Sequence, residues 1–432
     1  MTKQKLKLLV CLLAGLTTAV QADDLETIAK VTSSTVLIRT HLIHGFAEDN
    51  QANGRWKGSG FVIDRKTGLL VTNAHVAGHG IVKISVQFWD QDKTVEAKRL
   101  FVDTKHDIAI LKIDPEDIPL NSRSLLLDCD YSIQRGERVL ALGHPKSHEF
   151  TSTLGVLSGK KSFGVDGEFY TTDLVTESGS SGGPIVSLDS GLVVGMATAG
   201  IDSSDLGLLT KSREICRIVE PLREGLDPSR PQLGFQQLVV DGEVSSRVGR
   251  VFDDQLNIQF GDEIVTVEGF KWDPKVDGDL EDQLRQITET SIEFLIDRDG
   301  ILKRIEIPIK KRGSSHLRKW VYFNGLTIAE SSHDDVGFRT GGTSNPVLVI
   351  QSIDRDQDDT VEVEFGVYDQ LVSVGGIPIS RLEELIEILE HSYRETIPVV
   401  IRSWDRTSES IAFHFEHLFR IEEFKTWRDE NA

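Results

Sequence analysis

From about residue 25 to 210 the chain is a succession of short apolar β segments separated by Gly-rich turns. That pattern predicts a barrel or a sandwich. The stretches 35–39, 60–63, 81–88, 108–113, 138–142 and 192–197 are six such segments. A helical stretch over 212–224 closes the region. Residues 225–231 then combine Gly225, Pro228 and Pro231, which interrupt both the helical and the strand period and mark a linker.

Beyond the linker one pattern occurs twice. The first copy opens with Gln232-Leu233-Gly234-Phe235 and continues to the run 261–269. A short helix follows near 280–286, with Leu280, Leu284 and Ile287 on one face, and a hairpin turns at Asp299-Gly300. The second copy opens with Asn324-Gly325-Leu326-Thr327 and reaches the run 368–376. Its helix starts at Ser380 with Glu383 three residues on, a capping box. Leu382, Leu385, Ile386, Leu389 and Tyr393 form its expected buried stripe. A hairpin over 405–408 closes it. A repeated strand–helix–hairpin order predicts two related domains.

The chain has 432 residues, too many for one hydrophobic core and enough for about three domains. Hydrophobic residues at 39% and charged residues at 27% fit a globular protein. The net charge of −20 argues against a nucleic-acid partner, because phosphate binding needs clustered Lys and Arg. Lys3, Lys5 and Lys7 precede an apolar run from Leu8 to Val20, and Val20-Gln21-Ala22 offers small residues for cleavage. Residues 1–22 therefore read as a secretory signal peptide, too short to span a bilayer. Its removal takes away three lysines, giving −20 − 3 = −23. Two cysteines remain, Cys129 and Cys216, and either a bridge or two buried thiols fits the sequence. No Cys/His set has zinc spacing. The acidic run 354–359 opens like a calcium loop but has Asp359 where Gly is needed and Phe365 where Glu is needed. No metal site and no cofactor are expected.

The strongest local chemistry lies in Gly179-Ser180-Ser181-Gly182-Gly183-Pro184. A serine hydroxyl is a weak nucleophile at neutral pH and needs a base to take its proton. It also needs backbone N–H groups aimed at a developing oxyanion. A glycine two residues before Ser181 lets the chain aim the Gly179 N–H beside that of Ser181. The base should be a histidine held at a strand end, and Leu70-Val-Thr-Asn-Ala-His75 provides one among twelve histidines. The third member should be a carboxylate that fixes the imidazole tautomer, and Asp107 leads directly into the apolar run 108–111.

In combination these frames closely resemble the HtrA/Deg family of chymotrypsin-like serine proteases. The resemblance rests on Gly58-Ser-Gly-Phe61, Val71-Thr-Asn-Ala-His75-Val76, His106-Asp107-Ile-Ala-Ile-Leu111 and the 179–184 loop, with support from Gly143-His-Pro145, the run 155–159 and Thr172-Asp173. It covers residues from about 25 to 225, and the tail resembles the PDZ domains that follow the protease in this family. The fold it implies is mainly β: a double β-barrel chymotrypsin-like protease domain over 23–227, then two PDZ-like α+β domains over 228–313 and 318–432. His75, Asp107 and Ser181 would form the catalytic triad, with the Gly179 and Ser181 N–H groups as oxyanion hole. Ser180 stands where the family usually carries Asn or Asp. The resemblance also implies a pocket for a small apolar side chain near Thr176, Ala197, Thr198, Ala199 and Gly200. Val175, six residues before Ser181, offers no acid for a basic side chain. PDZ domains capture a C-terminal peptide as an added strand, which points to Leu233, Gly234 and Phe235, and to Gly325 and Leu326 in the second copy. The implied protein is a periplasmic endopeptidase for unfolded or misfolded protein, with C-terminal peptides as PDZ partners and a homotrimer as assembly. The alternative is a non-catalytic holdase or scaffold on the same fold.

Overall fold

The structure is a computed structural model. It describes residues 22–49, 53–146, 148–162, 168–174, 177–200, 206–240, 243–253, 255–274, 278–311, 319–330, 347–353, 366–404, 412–421 and 424–426. Residues 1–21 of the expected signal segment 1–22, the acidic run 354–359 and the expected turn over 405–408 lie outside them.

A helix α1 (Ala22–Ser34) leads into a closed six-stranded barrel. Its strands are β1 (Thr35–His44), β2 (Gly54–Asp64), β3 (Leu69–Thr72), β4 (Ile81–Phe88), β5 (Thr94–Asp103) and β6 (Ile108–Lys112), closed in the order β1-β2-β3-β6-β5-β4. A one-turn helix α2 (Ala74–Ala77) follows β3. The second closed barrel comprises β7 (Arg138–Gly143), β8 (Thr151–Ser162), β9 (Glu168–Thr172), β10 (Pro184–Ser187), β11 (Val193–Gly200) and β12 (Gly207–Lys211). Helix α3 (Ser212–Arg223) closes this part.

Alternation along the strands explains why the barrel segments read as unbroken apolar runs. Val62, Leu70, Ala109 and Leu111 fill the first barrel. Their neighbours Phe61, Ile63, Leu69, Val71, Ile108 and Ile110 point the other way. There they pack with Leu140, Leu142, Val186 and Met196 of the second barrel and with Ile215, Ile218 and Val219 of α3. Successive side chains face opposite sides of a strand, so strands buried on both faces need apolar residues at every position.

Cys129 and Cys216 form a disulfide with Cα atoms 5.8 Å apart, tying the loop before β7 to α3. The alternative the sequence left open is thereby decided.

The chain continues through β13 (Pro231–Gln232) into a sheet of β14 (Phe235–Val240), β15 (Glu243–Val251), β16 (Glu263–Val267), β17 (Phe270–Lys271), β18 (Ser291–Arg298) and β19 (Ile301–Pro308), with a short helix α4 (Leu280–Gln283). Asp299 and Gly300 both have positive φ, 54° and 80°, in the tight β18–β19 turn, as the sequence predicts. The short β20 (Lys310–Lys311) pairs back with β13. A second sheet holds β21 (Trp320–Phe323), β22 (Leu326–Glu330), β23 (Leu348–Ile353), β24 (Gln370–Val374), β25 (Ile377–Pro378), β26 (Thr396–Trp404), β27 (Ala412–Arg420) and β28 (Phe424–Thr426), with helix α5 (Leu382–His391).

The two segments expected to be related share a pair of hydrogen bonds. Asp262 accepts from the Gln259 N–H through its side chain at 2.8 Å and from the Val248 N–H through its carbonyl at 2.8 Å. Asp369 repeats both, with Gly366 at 2.6 Å and Ile350 at 2.9 Å. Two details differ from the sequence expectation. The cap of α5 is Arg381 with Glu384, whose carboxylate accepts the Ser380 and Arg381 N–H groups, one residue later than the expected Ser380–Glu383 pair. Tyr393 lies beyond the helix end and is exposed, whereas Leu382, Leu385, Ile386 and Leu389 are buried.

Disulfide loss gives a test of the first part of the fold. The bridge spans 87 residues, and closing so long a loop in the unfolded chain is worth up to about 4 kcal/mol. Cys129→Ser with Cys216→Ser is expected to lower the denaturation midpoint by a matching amount in chemical denaturation, and reductant should then have no further effect.

Candidate active site

His75 sits in α2, directly after β3, with Asn73 as the residue preceding the helix. Its backbone N–H donates to Asp107 Oδ1 at 2.9 Å, and its Nδ1 lies 2.7 Å from Asp107 Oδ2. One carboxylate therefore holds both the backbone and the ring. Asp107 has φ of 53°, a left-handed conformation that Asp tolerates better than most residues. Desolvation opposes charge on the His75 ring, but the hydrogen bond to Asp107 and its negative charge outweigh it. The imidazole pKa is raised above its ordinary 6.5. The hydrogen-bonded Nδ1 leaves Nε2 as the atom free to exchange a proton.

Ser181 lies between the barrels. Its carbonyl accepts the Ser59 N–H of β2 at 2.8 Å, and its hydroxyl donates to the Thr198 carbonyl of β11 at 2.9 Å. The hydroxyl proton is thus directed at Thr198 rather than at His75. Freeing that hydroxyl for another acceptor gives up one neutral hydrogen bond, worth about 1 kcal/mol.

The loop before Ser181 is a tight turn. The Ser180 N–H donates to the Glu177 carbonyl at 2.9 Å, with Gly179 at the third position and φ of 99°. Only glycine takes this conformation freely, and a Cβ there would stand 2.3 Å from the His144 carbonyl oxygen. The Gly179 carbonyl accepts the Ser59 hydroxyl at 2.7 Å. Because that hydroxyl has given its proton away, the 2.9 Å contact between Ser59 Oγ and His144 Nδ1 requires the proton on His144 Nδ1. Desolvation and the nearby charges of Lys57 and Arg39 push the His144 pKa down to about 3, so this ring is neutral at pH 7. The Gly179 and Ser181 N–H groups have no hydrogen-bond partner among the described residues, which leaves them open to an oxyanion.

Several positions missed in the sequence hold this arrangement. Asn73 Nδ2 donates to the Asp107 carbonyl and to Thr198 Oγ1, each at 2.9 Å. Thr198 Oγ1 also meets Thr210 Oγ1 at 2.7 Å. Thr40 and Trp56 both donate to the Val76 carbonyl, at 2.6 and 2.9 Å, and so fix the helix bearing His75. The only sequence signal was an unexplained polar residue within an apolar frame, as with Asn73.

The residues expected around an apolar pocket are placed as follows. Ala197 packs into the second-barrel core, and the Thr198 hydroxyl points at Asn73, so both side chains stand behind the site. Ala199 and Gly200 continue β11 by their backbone. Thr176 and Val175 lie outside the described residues.

A buried ionic cluster joins the turn preceding Asp107 to the first repeat. His106 Nε2 is 2.7 Å from Asp282 Oδ2, Lys105 Nζ is 2.8 Å from Asp279 and 3.2 Å from Asp282, and Arg285 contacts both Asp103 and Asp282. Arg230 of the linker pairs with Glu281 at 3.2 Å. Burial alone would raise the Asp103 and Asp282 pKa values. The Arg285 guanidinium outweighs it for Asp103, and His106 and Lys105 outweigh it for Asp282, so both carboxyls stay well below their ordinary range.

In the first repeat, Gly234 has φ of 72°, and its carbonyl accepts the N–H groups of Phe252 and Asp253. Leu233 and Phe235 are buried in the repeat's core. Among the described residues the strand they lead into, β14, is an edge strand paired only with β15. In the second repeat Gly325 sits in a two-residue hairpin turn with Asn324, and β22 is paired on both sides, with β21 and β23. An added peptide strand needs a free edge, and β22, which Leu326 opens, is paired on both sides.

Residues 58–196 match the family described as trypsin-like peptidase domain. A serine protease HTRA1B of Danio rerio is 38% identical over 192 residues, covering 42% of this chain and 37% of that protein. A probable periplasmic serine endoprotease DegP-like of Hahella chejuensis is 37% identical over 142 residues, covering 32% and 29%. Over this region the chain is similar in sequence to HtrA and DegP-like serine proteases. The matches span about a third of the length of these curated HtrA relatives. Among solved structures, the HtrA-type protease AlgW with decapeptide superposes with a TM-score of 0.54 at 19% identity, over 67% of this chain and 98% of that one. The serine endoprotease from Yersinia pestis gives 0.50 at 22% over 67% and 98%. At these identities the likeness concerns the fold.

Two measurements test this reading of the candidate site. In Asp107→Asn the His75 imidazole, followed by NMR titration, is expected to titrate at lower pH than in the native chain, because the charge that raised its pKa is gone. Asp282→Ala takes one buried carboxylate from His106, Lys105 and Arg285, leaving Lys105 with Asp279 and Arg285 with Asp103, and is expected to cost about 3 kcal/mol in chemical denaturation.

Proposed function

We propose that this chain is a serine endopeptidase acting on unfolded or misfolded exported protein by a Ser181–His75–Asp107 mechanism. The observation that supports the reading is the His75–Asp107 pair, joined by two hydrogen bonds, together with the Gly179 and Ser181 N–H groups, which have no partner among the described residues. In the proposed sequence of events the Ser181 hydroxyl leaves the Thr198 carbonyl and gives its proton to His75 Nε2 as Oγ attacks the scissile carbonyl. Asp107 stabilises the imidazolium that results, and the Gly179 and Ser181 N–H groups receive the oxyanion. His75 then protonates the leaving amine, and a water repeats the sequence in reverse to release the acyl group. Ser180 stands beside the nucleophile and takes no part in these proton transfers.

The substrate class rests on the family likeness, as does export. Both are supported by the periplasmic endoproteases among the relatives and by the expected signal segment. Peptide capture is assigned to the first repeat alone, where Gly234 leads into the free edge of β14. Assembly as a homotrimer is likewise an expectation from the family.

The test is degradation of unfolded casein together with fluorophosphonate labelling. The native chain should be labelled at Ser181 and should cut casein, and Ser181→Ala should lose labelling and about 10⁶ in kcat. A native chain that is never labelled, even with an added C-terminal peptide, would instead support the scaffold reading. The pH dependence has a definite sign. Neutral His75 is the active base, and its pKa is raised, so kcat/KM should fall on acidification with a midpoint above 6.5.

A further inference from the structure

Although the chain carries 68 acidic against 48 basic residues, one face of the first barrel is strongly cationic. A groove of about 790 Å³ on β1, β2, β4 and β5 is lined by Arg39, His41, Arg55, Lys57 and Lys83, with Glu96 as its only acid. The register explains the clustering. Arg39 stands opposite Lys57, and His41 stands opposite Arg55 on one side and Lys83 on the other. Like charges directly opposed on neighbouring strands are unfavourable, and compensation here is slight. Arg39 reaches Gln87 and, at 3.5 Å, the exposed Glu149. No described carboxylate forms an ion pair with Arg55, Lys57 or Lys83. A set of unpaired cations costs nothing further if a ligand supplies the anions.

The groove adjoins the candidate active site along β2. Ser59 bonds to the Ser181 carbonyl through its N–H and to the Gly179 carbonyl through its hydroxyl. Alternate residues share a strand face, so Lys57 and Arg55 follow Ser59 on one side of β2, at about 6.6 Å per pair of residues. Lys57 and Arg39 are near enough to act electrostatically on His144 behind the Gly179 turn. The same strand also borders His75: a Cβ on Gly58 would stand 2.5 Å from Val76. Ser181 lies between β2 and β11, and His75 on the β2 side would give its proton to the leaving amine. The part of a substrate beyond the cut bond therefore departs over β2, towards Lys57 and Arg55.

We propose that this cationic groove is a specificity subsite that receives acidic side chains of the polypeptide substrate two to four residues C-terminal to the cleaved bond. The proposal rests on the peptidase reading for the direction of the substrate, and its test uses equilibrium binding so that the two can fail separately. The full-length Ser181→Ala chain is titrated with fluorescent peptides that share one apolar half and end in an amide, which removes any C-terminal carboxylate. Their second half carries three Glu or three Gln. The Glu peptide is expected to bind roughly tenfold tighter at low salt, with the difference fading as ionic strength rises. Arg39→Gln, Arg55→Gln, Lys57→Gln and Lys83→Gln combined should abolish the difference, and Glu96→Gln alone should widen it. Circular dichroism melting establishes that the combined variant is folded. Equal binding of the two peptides, or a preference that survives the four substitutions, would overturn the proposal. So would binding of vesicles containing phosphatidylglycerol that depends on these cations while the peptides bind alike, since that assigns the face to a membrane surface. Labelling of native Ser181 by a fluorophosphonate reports separately on the peptidase reading.

Discussion

The arrangement depends on a polar seam between two barrels whose contact is otherwise apolar. Phe61, Val71, Ile110, Leu142 and Met196 bring the barrels together without direction, because apolar burial carries little angular information. Direction comes from a few buried hydrogen bonds. Asn73 of the first barrel grips Thr198 of the second, Thr198 meets Thr210, and the Ser59 N–H bonds to the Ser181 carbonyl. Each group is shut away from water, so leaving one unpaired would cost more than an ordinary hydrogen bond gains. The seam therefore fixes how the strand end bearing His75 faces the loop bearing Ser181.

Two further layers of constraint rest on that seam. Behind the Gly179 turn, neutral His144 passes a hydrogen bond to Ser59, and Ser59 to the Gly179 carbonyl, which holds the peptide whose N–H groups face outward. Behind Asp107, the turn carrying Asp103, Lys105 and His106 is gripped by Asp282 and Arg285 of the first repeat. Such a buried cluster brings little net stability, since each charge must first be stripped of water, but it tolerates one geometry only. The carboxylate that orients His75 is thereby tied mechanically to the unit that carries Leu233, Gly234 and Phe235.

The sequence was most informative where chemistry demands a particular residue type. Gly179 and Gly234 both have the positive φ that a tight turn needs, and Asp299-Gly300 made its hairpin as read. A repeated strand–helix–hairpin order was legible in the sequence, and Asp262 and Asp369, at matching places in it, make the same backbone bonds. Boundaries and caps were less legible. Arg381 took the cap expected of Ser380, because one residue either way satisfies the same carboxylate geometry.

What the sequence determined by itself was local: alternating apolar strands, glycine turns, and a histidine, an aspartate and a serine each at the margin of a β segment. Tertiary structure decided everything that depends on two distant segments meeting. It joined Cys129 to Cys216, turned the Ser181 hydroxyl to Thr198, and paired β22 on both sides so that Gly325 closes a hairpin. It also stacked Arg39, Lys57, His41, Arg55 and Lys83 on one face. Strand register and barrel closure bring such residues together from positions far apart in the chain, and neither leaves a mark in any single stretch of sequence.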